Sequence, residues 1–408
     1  MNLQRRLLPF LLTLYVVAFI DRINLGFAAL TMNAELGLTK QQFGFAAGIF
    51  FLGYFLFEVP SNLILHKIGA RVWMARILLT WGVIATLTGF VQSASQLYWA
   101  RFALGLAEAG YFPGIVHYLG YWFRQREKAR ATAIILMGIP LASILGAPVS
   151  GVILDHVHWL GLSSWRWLFI LEGFPAVIGA FLAGKFLPSR PADAAFLTVA
   201  QRADIAESVS QEDRAKVAAA VPTWISILRV SQLSLMGFCH AFGQYTFNFW
   251  LPQIFKSAFA GVSNTTVGLL VMVPNLLGLG VMIAVCQHSD RTLERRYHMA
   301  LSIALGGLAL VLLGAPRWPA ETLALFSLVA IGAYSFLPIF FTVPGAFLSG
   351  YAAAAAIAVI ASVSNIGGFA GPYITGVMQQ RGLAVAGVLY LVAAALSLAL
   401  PRALRTMA

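Results

Sequence analysis

Charge is scarce in this 408-residue chain: only 10% of residues are Asp, Glu, Lys or Arg, against 60% hydrophobic. A soluble domain carries about 25% charged residues, so composition excludes an ordinary water-soluble globular protein. Cysteine is nearly absent, and the two present, Cys239 and Cys286, lie in apolar segments, which excludes a disulfide framework. No Cys or His spacing suits a metal, and the isolated His117, His240 and His288 take no ligand role. Acidic residues number 15 against 27 basic ones. The resulting net charge of +12 does not read as nucleic-acid binding, because the basic residues sit in short loops between apolar runs.

Long apolar runs are what the chain has instead. Those of the first half are near 7–31, 42–65, 73–92, 97–120, 129–154 and 166–187. Those of the second half are near 228–252, 265–287, 298–315, 321–345, 350–378 and 382–400. Each is long enough to cross a hydrocarbon layer of roughly 30 Å as a helix. The first exceeds a signal-peptide core in length, carries Asp21 and Arg22 and lacks a cleavage site, so it reads as a crossing of the mature chain. The expectation is an all-α membrane protein with twelve transmembrane helices in two pseudo-symmetric six-helix bundles. Their bounds are 1–187 and 223–408, with the charged interval 188–222 as a cytoplasmic linker.

Twelve crossings put both termini on one side. Twenty Lys and Arg then share the termini's side, and five (Lys40, Arg166, Lys256, Arg317 and Arg381) lie opposite. The bias predicts cytoplasmic termini, in a cell inner membrane. Internal similarity supports duplication. Lys67 and Arg291 occupy corresponding loops at an offset of 224, and Gly151 and Gly376 occupy GAPVSG and GPYITG at an offset of 225. That offset places Tyr245 opposite Asp21, and Leu325 opposite Arg101.

Four charges lie inside crossings: Asp21, Arg22, Arg101 and Glu108. Each costs on the order of 2.5–3.5 kcal/mol at mid-bilayer by insertion scales. They persist where they face one another, water or a ligand. Asp21 and Arg22 point about 100° apart on a helix, so only one can face a shared cavity, whereas Arg101 and Glu108 are close to two turns apart on one face. A guanidinium offers paired donors to a carboxylate, and a carboxyl can gain or lose a proton as its surroundings change. Gln244, Tyr245 and Asn248 form a polar stripe, and Asn365 lies among Ser362, Ser364 and glycines. Tyr54 and Glu58 share a face, with Glu58 and Glu172 read as structural. Gly146, Pro148, Gly151, Gly367, Gly368 and Gly371 read as close packing and kinks. An embedded enzyme would need a cluster of His, Cys, Asp or Glu near one interface. A sensor would need a cytoplasmic module longer than 188–222.

The strings FIDRINLGFA (19–28), GYFLFEVPSNLILHKIGAR (53–71), RFALGLAEAGYFPG (101–114), WRWLFILEGFPA (165–176), FWLPQIF (249–255) and SNIGGFAGPYITG (364–376) resemble the major facilitator superfamily. Within it they resemble the anion:cation symporter family. The resemblance covers nearly the whole chain and implies a non-enzymatic, proton-coupled importer of a small organic anion, without cofactor. Tartrate-like acids, sugar acids or phthalate-like dicarboxylates are the substrates it implies, with anion exchange or sodium coupling as alternatives. It assigns the substrate carboxylate to Arg22 and contact to Tyr54. It assigns the proton to Asp21 and Glu108, with Arg101 paired to those acids. Gln244, Tyr245, Asn248, Phe341 and Asn365 complete the expected substrate site, and Lys67, Arg71, Asp290 and Arg291 the expected gating latches. The departures are His66 for a loop acid, Phe341 for a tryptophan, Ala361 for an asparagine, and an uncharged 347–355 loop. Partners are the organic anion, protons and the bilayer, with no nucleic acid; a monomer is expected.

Overall fold

The structure, a computed structural model, describes residues 3–194, 196–205, 207, 223–344 and 350–401. Part of the expected 188–222 linker (195, 206 and 208–222) and part of the 347–355 loop lie outside these residues. The first half contains α1 (Leu3–Glu35), α2 (Lys40–Ile68), α3 (Ala70–Thr88), α4 (Ala94–Glu108), α5 (Tyr111–Gly120), α6 (Gln125–Leu136), α7 (Gly138–His156) and α8 (Ser164–Phe186). The second half contains α9 (Thr223–Ala258), α10 (Asn264–Thr292), α11 (Arg296–Leu313), α12 (Pro319–Phe340), α13 (Gly350–Met378) and α14 (Gln380–Leu398). α4 with α5 forms one crossing and α6 with α7 another, which gives six per half. Among the described residues, ten crossings are long and apolar enough by length and composition alone to span a membrane. The others are α4/α5 and α9.

The expected continuous helix over 97–120 is interrupted. Ala109 leaves helical geometry (ψ 133°) and Gly110 takes φ +84°, a left-handed conformation that a side chain disfavours. The freed Ala109 carbonyl accepts a hydrogen bond from Ser61 Oγ at 2.6 Å, so the break carries no orphaned acceptor there. Pro113, in the first turn of α5, has no N–H to lose at a helix start. Glu108 is the last residue of α4, so its carboxylate lies at the discontinuity.

The duplication is visible in the packing. Gly146 of α7 lies against Ile20 of α1, and Gly371 of α13 lies against Phe242 and Thr246 of α9. The two halves meet tightly at the end remote from the termini. A Cβ on Gly44 of α2 would come within 2.5 Å of the Pro372 carbonyl oxygen of α13. A Cβ on Gly151 of α7 would come within 2.8 Å of Thr265 Cα of α10. Only glycine permits these backbones to approach so closely.

Candidate functional site

The side chains of Asp21 and Arg22 diverge as the 100° step requires. Asp21 turns into the first half and is 2% exposed. Its Oδ2 accepts from Trp81 Nε1 at 2.8 Å, and its Oδ1 from Asn24 Nδ2 at 3.5 Å. Arg22 turns toward the junction of the halves. Its Nη2 forms an ion pair with Glu108 Oε1, and its Nη1 donates to Tyr245 Oη of α9 at 3.1 Å. The guanidinium also lies 4.9 Å from the Phe19 ring centroid, 5.1 Å from that of Phe50 and 5.6 Å from that of Tyr54. Three aromatic faces and one carboxylate therefore hold a single cation between the halves.

Arg101 differs from expectation. Rather than pairing with Glu108 or Asp21, it is fully buried, with Nε, Nη1 and Nη2 all lacking a hydrogen-bond partner among the described residues. It lies 5.0 Å from the Phe50 centroid and 6.0 Å from that of Phe249. Arg22 has taken Glu108, because the α4 break leaves that carboxylate beside α1. Idle donors on a buried cation are costly to leave unmade. An anion brought between the halves would find them unused.

The other expected site residues fall on both sides of the junction. Glu58 of α2, buried, accepts from Asn365 Nδ2 of α13 at 3.0 Å, a contact between halves. The Phe112 and Phe341 rings meet across the same junction at 5.7 Å. Gln244 Nε2 donates to Asn248 Oδ1 at 3.1 Å, leaving Gln244 Oε1 and Asn248 Nδ2 unpartnered and buried. Beside them lies a pair that the polar-stripe reading missed: Tyr334 Oη donates to Asn275 Oδ1 at 2.5 Å. Glu172 accepts from Ser150 Oγ at 2.7 Å inside the first half. Among the expected latches, Arg71 Nε donates to the Gly184 carbonyl at 2.5 Å, and Asp290 pairs with Arg295 at 2.5 Å. Lys67 and Arg291 are exposed.

A further contact between halves had no sequence signal. Asp155, at the end of α7, accepts from Asn264 N at 3.1 Å, Thr265 N at 2.7 Å and Thr265 Oγ1 at 2.7 Å. Ser263 Oγ accepts from Thr266 N at 3.1 Å and the Ser263 carbonyl from Val267 N at 3.1 Å. The first four N–H groups of α10 are thus satisfied, two of them by the opposite half. Lys40 Nζ donating to Gln379 Oε1 at 3.0 Å ties the same end of the molecule.

Twelve crossings in two related halves, with a cation and a discontinuous helix at their junction, define a membrane transporter rather than an enzyme. The Major Facilitator Superfamily model matches residues 11–372, and the chain belongs to that superfamily. A "Putative tartrate transporter" of Agrobacterium vitis is 43% identical over 95% of this chain and 90% of its own length. A "Quinolone resistance transporter" of Acinetobacter baumannii is 36% identical over 95% and 90%. The "Inner membrane transport protein RhmT" of Escherichia coli is 33% identical over 90% and 85%. Among solved structures, an inward-facing bacterial homolog of the lysosomal transporter Spinster aligns with TM-score 0.72 at 17% identity, covering 97% of this chain and 96% of that one. The E. coli xylose transporter XylE, partially occluded and inward open, aligns with TM-score 0.72 at 13% identity, covering 94% and 95%.

Proposed function

We propose that this protein imports a small organic anion, a hydroxylated mono- or dicarboxylate of the tartrate or sugar-acid kind, together with protons. The observation that carries the reading is the Arg22–Glu108 ion pair at the junction of the halves, beside the unpartnered Arg101. A guanidinium already shaped to hold one carboxylate can exchange it for another. Protonation of Glu108 removes the internal anion and leaves Arg22 free for the substrate carboxylate. Deprotonation restores the internal pair and displaces the substrate. Tyr245 and Tyr54 approach Arg22 from opposite halves, and in this reading Phe341, Asn365, Gln244 and Asn248 complete the substrate site, so the substrate would hold the halves together as it binds. Arg101 supplies a second cation, which favours a compact, strongly anionic substrate. Asp21 sits one residue from Arg22 and carries the second proton in this scheme.

The name of the tartrate-transporter relative supports an acid, and the sequence of 1–187 and 223–408 supports two rocking halves joined through 188–222. With the termini cytoplasmic, the tight end at Gly44 and Gly151 faces outward and the arrangement is inward-facing. Lys67, Arg71, Asp290 and Arg291 would close the opposite end in the alternate state. The protein acts as a monomer in this reading.

Uptake of labelled tartrate into proteoliposomes tests the substrate class. Saturable uptake should be lost in Arg22→Ala and retained in part by Arg22→Lys, which keeps the charge but not the paired donors. A protein that moves a quinolone but no carboxylate in this assay would overturn the anion reading.

A further inference from the structure

A groove of about 580 Å³ runs between α3 and α8 on the outer surface of the first half, away from the junction. Its walls are apolar, from Leu79, Ala180 and Phe181, and Gly184 keeps its floor open. A Cβ on Gly184 would meet only Ala75 Cβ, at 3.9 Å, so a larger side chain there would extend into free space. Two cations line one end, Arg76 and Lys185. Arg76 is held in place by the Trp73 ring, whose centroid lies 3.8 Å from Cζ, and by a 3.4 Å hydrogen bond from Nη1 to Thr80 Oγ1. Its Nε and Nη2 are shielded and have no partner among the described residues.

Arg76 lies six residues into α3 and Lys185 is the last residue but one of α8, both at the end bearing the termini. Six residues of helix amount to about 9 Å, the depth at which long cationic side chains reach the boundary between headgroups and acyl chains. The Trp73 ring fixes the Arg76 guanidinium at the groove wall, where it and Lys185 bring two positive charges to an otherwise apolar lining. An apolar slot ending in two cations suits an anion carrying a hydrocarbon tail. A zwitterionic headgroup would bring its own cation against both.

We propose that this groove binds one acidic phospholipid, its phosphate on Arg76 and Lys185 and one acyl chain along Leu79, Ala180 and Phe181. The site is independent of the transport reading and of every residue at the junction.

Phosphatidylglycerol is the probe, titrated into the delipidated full-length protein in detergent and counted by native mass spectrometry. Each Lys or Arg near an anionic lipid surface contributes about one kcal/mol, so removing both should weaken binding about 30-fold. Wild type should bind one phosphatidylglycerol tightly and phosphatidylcholine weakly. The double variant Arg76→Gln with Lys185→Gln should lose the preference. Gly184→Leu, with both cations intact, should lose phosphatidylglycerol by filling the slot, and helical circular dichroism checks that it folds; if it does not, the charge variant decides. Equal binding of phosphatidylcholine, or phosphatidylglycerol binding unchanged in the double variant, would overturn the proposal. So would displacement of the lipid by inorganic phosphate alone, which would mean a site for a free anion.

Discussion

Asp155→Ala should loosen one end of the molecule without touching the substrate position. The carboxylate gives α10 two backbone caps and one side-chain hydrogen bond across the junction of the halves. Loss of a helix cap costs about 0.5–2 kcal/mol, and a charged acceptor lies toward the upper part of that range. The site is near the surface, where water replaces part of what is lost, so about 1.4 kcal/mol is the working figure, or tenfold in an equilibrium. The contact joins two halves that separate at this end on the alternating-access reading. The loss therefore falls on the closed state, and the odds of the open state should rise about tenfold. Spin labels at Leu160 and Trp318, both highly exposed at that end on opposite halves, would report the change, with Cys239 and Cys286 replaced by serine. A longer-distance population should grow in Asp155→Ala and grow less in Asp155→Asn, which keeps one acceptor. A distance distribution identical to wild type would refute the idea that the cap holds this end shut.

Further outcomes follow from the same contacts. Tyr245→Phe removes the hydroxyl that accepts from Arg22 at 3.1 Å, and should raise the KM for tartrate several-fold while leaving expression unchanged, measured by uptake kinetics. Ser61→Ala strands the Ala109 carbonyl at the α4 break and should lower the thermal unfolding midpoint by an amount equivalent to about 1–3 kcal/mol. Gly151→Leu cannot keep the 2.8 Å approach to Thr265, so the spin-label distance should lengthen even with Asp155 intact.

The crossings were readable because lipid demands long apolar helices, and the expected spans coincide with the crossings to within about six residues, although two of those crossings are each built of two helices. The turn of Asp21 away from Arg22 was readable as well, since consecutive residues on a helix cannot share a face. Which of the two would meet the second half was not, because that depends on how α1 packs in its bundle. The partner of Glu108 went astray for a related reason. A seven-residue spacing puts Arg101 on its face, but the break at Gly110 hands the carboxylate to Arg22. Gly110 and Pro113 were the available signal for that break, muted by the apolar residues around them. Asp155 gave no signal: its role lies in the start of a helix more than a hundred residues away, and no local pattern names that partner.

In the proposed cycle Glu108 trades Arg22 for a proton as substrate binds. A pH-sensitive dye sealed inside proteoliposomes tests it most directly, with external tartrate added to wild type and to Glu108→Gln. Wild type should acidify the lumen on tartrate addition. Glu108→Gln should not, yet it should still exchange internal for external tartrate. Undiminished acidification by Glu108→Gln would contradict the account.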